Sequence, residues 1–237
     1  MFGSLLWVIL AVSEREPTVQ AESLGGVPTR WHAEPRNPGV TATSVAETRI
    51  DDHVGPWTVE DVLALPQHPA RARYELVDGV LSISPAPGLA HQIVSSALHG
   101  QIDAASTRSG ARFLTVGAVM VTDDSRLFVP DIVVADRTAI SRGMPAAPLE
   151  AILLLGEIVS PSSQSIDRIL KPALYAQAKV PAYWRVELEP DVCVVVHELE
   201  GATYREVATV TDRESVQVAG EFTLDLDVAA LGREFDW

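Results

Sequence analysis

The stretch FVPDIVVAD, residues 128–136, places an aspartate inside an apolar run that is typical of a buried strand. The stretch LLLGEIVS, residues 153–160, does the same with Glu157. A carboxylate is costly to bury in a dry sheet unless something compensates its charge. Asp131 and Glu157 are therefore the first candidates for a functional site.

The sequence around these two runs alternates between strand and helix patterns. In YELVDGVLSIS, residues 74–84, two β-rich runs flank Asp78-Gly79, which predicts a hairpin. Apolar residues recur every four positions over residues 91–107, which predicts a helix with a core-facing stripe. A second helix is expected to end before residue 181, and strands are predicted over residues 112–122, 126–135, 151–159, 182–188, 192–200 and 202–210. This order predicts an α+β or mixed α/β fold with one central sheet flanked by helices.

Residues 1–54 lack such patterning. They are rich in Glu, Pro, Thr, Ser and Gly, and we expect a flexible leader there. The apolar start MFGSLLWVILAV is too short to span a bilayer and has no basic residue before it, as a signal peptide would. Residues 55–232 are predicted to form a single domain.

Composition restricts the function classes. Hydrophobic residues make up 47% of the 237 residues, which is enough for a packed core. The single cysteine, Cys193, excludes an intrachain disulfide and favours a cytoplasmic location. A net charge of −14 argues against coating nucleic acid through bulk electrostatics, but residues 130–190 carry only −1. A polyanion can therefore approach this region, and no membrane partner is expected.

The two buried acids suggest a metal site. If their strands pair, Asp131 and Glu157 lie at the same edge of the sheet, where two carboxylates repel each other unless a cation lies between them. Mg²⁺ typically takes one or two carboxylates together with phosphate oxygens, and it supports phosphodiester hydrolysis. The alternative is that both acids are solvated surface residues, which a large separation between them would indicate.

The following helix supplies a cation. Asp167 and Lys171 are four residues apart and share one helical face, either as a surface ion pair or with Lys171 reaching a phosphate. Pro172 follows directly, so the helix either starts near Pro172 or kinks there.

The chain resembles the Uma-type restriction endonuclease family of the PD-(D/E)XK nuclease superfamily over roughly residues 56–230. The resemblance rests on FVPDIVVAD, on YELVDGVLSISPAPGLAHQ (residues 74–92) and on GEIVSPSSQSIDRILKPALYAQAKVPAYWRVEL (residues 156–188). It implies a restriction-endonuclease-like fold with a central mixed sheet flanked by helices.

The resemblance also implies roles for particular residues. Asp131 matches the first acid of the superfamily and Glu157 the second, so both would hold the metal. Val159 stands where the superfamily has lysine, and Lys171 matches the lysine that the Uma-type family carries in the next helix. Glu75 matches a further acid of the family.

Two further residues are expected to lie next to the site and support it without holding the metal. His91 matches a histidine that opens the family's first long helix, and Asp167 lies one helical turn from the candidate lysine. The function implied is a DNA endonuclease that depends on Mg²⁺, with Mn²⁺ as a substitute. A catalytically idle nuclease-like module for binding or assembly is the alternative, and a homodimer is one assembly that the sequence allows.

Overall fold

Four α-helices and thirteen strands lie within the part of the chain that the structure, a computed structural model, describes: residue 50 and residues 53–110, 112–160 and 163–232. The helices are α1 (Val59–Leu63), α2 (Leu89–Ser109), α3 (Lys171–Gln177) and α4 (Val228–Gly232). The strands are β1 (Arg73–Val77), β2 (Val80–Ser84), β3 (Phe113–Val116), β4 (Val121–Thr122), β5 (Arg126–Phe128), β6 (Ile132–Asp136), β7 (Ala147–Pro148), β8 (Ile152–Ile158), β9 (Ala182–Glu187), β10 (Cys193–Glu200), β11 (Thr203–Val210), β12 (Arg213–Val218) and β13 (Phe222–Asp227). The predicted mixed α/β class is confirmed.

The strands form three sheets rather than the one that the sequence predicts. A six-stranded mixed sheet has the order β11-β10-β9-β8-β6-β3, in which only β8 and β9 are parallel. A five-stranded sheet has the order β2-β1-β5-β4-β7, and β12 pairs with β13. The strand predicted over residues 126–135 is divided between the first two sheets. Pro130 lies at the division, and proline has no N–H for a continuous ladder.

The six-stranded sheet is covered on both faces. On one face the predicted stripe of α2, formed by Val94, Leu98 and Ile102, packs in a cluster with Trp184 of β9. On the other face Tyr175 of α3 and residues of the five-stranded sheet pack in a second cluster. Burial on both faces explains why β6 and β8 are continuous apolar runs rather than alternating ones.

The hairpin forms as predicted, and the short helix α1 precedes it. Asp78 has φ 47° and Gly79 has φ 86°, the two left-handed residues that a two-residue turn of type I′ requires. Thr58 caps α1 through a reciprocal capping box with Asp61. The hairpin matters for the site because it fixes the direction of every side chain on β1.

The segment before α3 has an unusual form. Residues Ile166–Leu170 make a π-helix, and α3 follows directly with Pro172 in its first turn. Proline is well tolerated there because the first-turn N–H groups have no partner within the helix. Of the two arrangements considered for Pro172, the helix start is therefore the one observed, and a π-helical turn leads into it.

The predicted leader, residues 1–54, lies almost wholly outside the described residues, so its boundary stays a prediction. Among the helices that are described, none is both long and apolar enough to cross a bilayer.

Candidate active site

Asp131 lies directly before β6, with its side chain buried. Its Oδ2 accepts hydrogen bonds from the backbone N–H of Ile158 and from Nε2 of His91, both at 2.9 Å. Its Oδ1 lies 2.6 Å from Nη1 of Arg73. Burial favours the neutral acid, but the His91 hydrogen bond and the Arg73 charge outweigh it and hold the pKa of Asp131 below its usual range.

Glu157 lies near the end of β8 and is 2% exposed. Its Oε1 accepts a hydrogen bond of 2.5 Å from the hydroxyl of Tyr175 and lies 3.1 Å from Nζ of Lys171. Burial raises the pKa of Glu157 well above its usual range, Lys171 opposes this shift, and the charge of Asp131 adds to it. Both contacts involve Oε1, so Oε2 takes part in neither.

The pairing of β6 with β8 brings the two acids close together. Ile132 lies opposite Gly156, and the N–H of Asp131 donates a hydrogen bond of 3.0 Å to the carbonyl oxygen of Gly156. The carboxylate of Asp131 in turn accepts from the N–H of Ile158, the residue after Glu157. The end of β8 thus holds Asp131 next to Glu157.

Lys171 lies at the centre of three carboxylates. Its Nζ is 3.1 Å from Glu157, 3.2 Å from Oε1 of Glu75 and 3.6 Å from Oδ1 of Asp167. Burial lowers the pKa of a lysine, but the charges of Glu157 and Glu75 outweigh it and raise the pKa of Lys171. The ammonium is therefore permanently charged, and it lies inside the site rather than in a surface ion pair.

The other two acids are each anchored by a hydrogen bond between a side chain and the backbone. Oε1 of Glu75 accepts a hydrogen bond from the N–H of Val129, three residues before the start of β6. The carbonyl oxygen of Asp167 accepts a hydrogen bond from the buried hydroxyl of Tyr183. Burial raises the pKa of Asp167, and Lys171 opposes that shift. These bonds fix β1 and the π-helix on the two sides of Lys171.

The donor set fits a divalent cation in charge and chemistry. Four carboxylates face two permanent cations, which leaves a formal charge of −2 with His91 neutral; these residues are Glu75, Asp131, Glu157, Asp167, Arg73 and Lys171. In the described part of the chain, no three His, Cys, Asp or Glu side chains converge into a metal cage. Mg²⁺ does not need such a cage, because it binds one or two carboxylates and keeps several waters.

Each predicted site residue lies in this cluster. Lys171 connects Glu75, Glu157 and Asp167, while His91 contacts Asp131. The separation between the carboxylates of Asp131 and Glu157 that a shared cation requires stays a prediction.

Sequence reasoning missed Arg73 and Tyr175. Arg73 lies two residues before Glu75 on β1, hence on the same face of that strand, and Tyr175 lies one helical turn after Lys171. The sequence pattern could have identified both residues. Arg73 is one strand period (two residues) from Glu75, and Tyr175 is about one helical turn (four residues) from Lys171.

The substitution Tyr175→Phe tests the hydrogen bond to Glu157. It keeps the buried ring, which packs edge-on against Phe128, and removes only the hydroxyl. Because the acceptor is a buried carboxyl group next to Lys171, we expect a loss of about 1.5–3 kcal/mol in the free energy of unfolding, measured with urea. The control is Tyr204→Phe, whose hydroxyl bonds the neutral carbonyl of Val180. Equal losses in the two variants would show that the carboxyl group of Glu157 is no stronger an acceptor than a backbone carbonyl.

An open cleft adjoins the cluster. Its volume is about 630 Å³, and its lining includes His91, Ser160 and Arg168. His91 is thus shared between the cleft and the cluster, because its Nε2 bonds Asp131.

Comparisons with known proteins identify the family. Residues 59–229 match the Uma2 family, whose description reads "Putative restriction endonuclease". A solved structure titled as a "putative nuclease belonging to DUF820 from Anabaena variabilis ATCC 29413" has a similar fold, with a TM-score of 0.59 and 21% sequence identity. The match covers 74% of this chain and 97% of that chain, and no curated protein matches. The chain, with its acids and lysine gathered at one sheet edge, belongs to the Uma2 family.

Proposed function

We propose that this protein is a Mg²⁺-dependent endonuclease that hydrolyses phosphodiester bonds in DNA. The observation that carries the proposal is the hydrogen bond from the N–H of Ile158 to Oδ2 of Asp131, which holds Asp131 next to Glu157, with Nζ of Lys171 3.1 Å from Glu157. The family description supports nuclease chemistry, and the nearly neutral stretch over residues 130–190 supports an anionic substrate.

Asp131 and Glu157 would hold the metal. When bound, Mg²⁺ polarises a phosphoryl group and lowers the pKa of a bound water. His91 and the N–H of Ile158 keep the carboxylate of Asp131 in one orientation, and Tyr175 does the same for Glu157. Such fixed ligands lose little entropy when the site is loaded.

Lys171 would stabilise the negative charge that grows on the phosphate during hydrolysis. Its ammonium is preorganised by Glu75 and Asp167, which hold it in place on two sides. A charge fixed before the reaction needs no reorganisation at the moment of bond breaking. The cleft beside His91 would receive the strand next to the cleaved bond.

The test is cleavage by the full chain. We expect cutting of supercoiled and linear DNA with Mg²⁺ or Mn²⁺ and none with a chelator. A protein that cuts nothing under any of these conditions, but still binds DNA or a protein partner, is instead an idle binding module. Light scattering of the same sample tests whether the protein is the homodimer that the sequence allows. The proposal also includes a cytoplasmic location.

A further inference from the structure

Arg73 is a cation of the cluster that takes no part in the proposed function. Its guanidinium contacts Oδ1 of Asp131 at 2.6 Å and the carbonyl oxygen of Val129 at 3.4 Å, both through Nη1. A guanidinium carries five N–H donors in a planar fork, and these two contacts use only the donors of Nη1. Arg73 thus makes one strong ion pair and has further N–H donors that these two contacts do not use.

Arg73 and a metal would compete for one oxygen of Asp131. Oδ2 of Asp131 is engaged by His91 and by the N–H of Ile158, both of which are fixed in the fold. Oδ1 is engaged by Arg73. The oxygen that Asp131 can offer to a divalent cation is therefore Oδ1, where the guanidinium already lies. A cation at Oδ1 would repel the guanidinium and weaken its contact with Asp131.

Arg73 is also freer to move than Lys171. The side chain of Lys171 is 10% exposed and lies among three carboxylates, whereas that of Arg73 is 18% exposed and faces one. A displaced guanidinium next to the site would be an unpaired cation. Arginine binds phosphate through two parallel N–H bonds, which makes a phosphate oxygen the natural new partner.

We propose that Arg73 is a phosphate-binding residue that neutralises Asp131 in the metal-free protein and contacts a substrate phosphate when a divalent cation occupies Oδ1. This inference rests on the proposed function, because it needs both a metal and a phosphodiester substrate. Arg73 then acts twice: it stabilises the empty site, and it adds a contact only to the loaded one.

The test uses Arg73→Gln in the full chain and two binding measurements. Without nucleic acid, titration with Mg²⁺ alone and with Mn²⁺ alone should show tighter binding, on the order of tenfold, because a competing positive charge is gone. The second measurement is DNA binding in the presence of Ca²⁺, with the DNA shown to be intact. The slope of log affinity for DNA against log salt concentration should become shallower by about 0.9, the value of one phosphate contact. A purely structural role would loosen cation binding and leave the salt slope unchanged.

Further variants make the result decisive. Arg126→Gln is the matched control, because Arg126 lies on the adjacent strand β5, is 16% exposed and bonds Asp78 and Gln177 instead of Asp131. It should change neither measurement. Arg73→Lys keeps the charge but not the two parallel N–H donors, so it should keep the cation affinity and the salt slope of the wild type, both of which depend on charge. If Arg73→Gln does not fold, Arg73→Met serves with the same expectations.

The outcomes separate the two proposals. Wild-type protein that binds cations and cuts DNA, with Arg73→Gln equal to wild type in both measurements, overturns the role of Arg73 alone. Wild-type protein that binds neither cation and cuts nothing overturns the proposed function and the role of Arg73 together.

Discussion

Asp131→Asn is expected to abolish DNA cleavage, with a loss on the order of a thousandfold or more, because metal stabilisation of the transition state contributes several kcal/mol. The substitution removes a ligand charge and nearly keeps the shape. It also places an amide between donors, since Arg73, His91 and Ile158 all donate to the carboxylate. We therefore expect weaker Mg²⁺ binding and a smaller free energy of unfolding, by about 1–3 kcal/mol.

The measurement compares initial cleavage rates well below the melting temperature, with circular dichroism as the check of folding. The matched control is Asp136→Asn at the far end of β6, the strand that Asp131 precedes, where the carboxylate accepts hydrogen bonds from Thr138 at the protein surface. That variant should cut as the wild type does. If Asp131→Asn cuts as fast as the control, Asp131 is not a metal ligand and the site lies elsewhere.

Lys171→Met is expected to give the largest loss of stability. The substitution leaves Glu75, Glu157 and Asp167 without their shared cation, and breaking a buried ion pair by removing one partner costs about 3–5 kcal/mol. For a chain of this size the melting temperature should fall by roughly 10 °C in metal-free buffer. Added Mg²⁺ should restore part of the loss, because it supplies positive charge to the same acids.

The loss should depend on pH with a definite sign. Burial already raises the pKa of Glu157, and removing Lys171 removes the main influence that lowers it. A carboxyl whose pKa is higher in the folded than in the unfolded state favours folding at low pH, and this contribution disappears as pH rises through the folded pKa. The variant should therefore be least destabilised near pH 5 and most destabilised near pH 8.

Lys179→Met provides the control for Lys171→Met. Lys179 lies just after α3, is exposed and bonds the carbonyl oxygen of Gly201. Its substitution should change the melting temperature by a few degrees at most. A Lys171→Met variant that melts with this control would show that the ammonium is not the charge partner of the three acids.

Local sequence patterns determined most of the helices and strands and identified most of the site residues. The Asp78-Gly79 turn and the apolar stripe of α2 are short-range signals, and each appears in the structure where the sequence predicts it. Strand β12 gave no such signal, because only two of its six residues, Val216 and Val218, are buried. Asp131 and Glu157 were identifiable because a carboxylate within an apolar run is costly to bury and therefore stands out.

Tertiary structure alone decided how the charges pair and how the sheets divide. Arg73 and Asp131 are 58 residues apart, and their contact depends on β1 and β6 meeting through two different sheets. The sequence suggested that the two acids would repel each other; in the fold each has its own cation, Arg73 for Asp131 and Lys171 for Glu157. Such pairings follow from strand order and register, and periodicity along the chain carries no information about either.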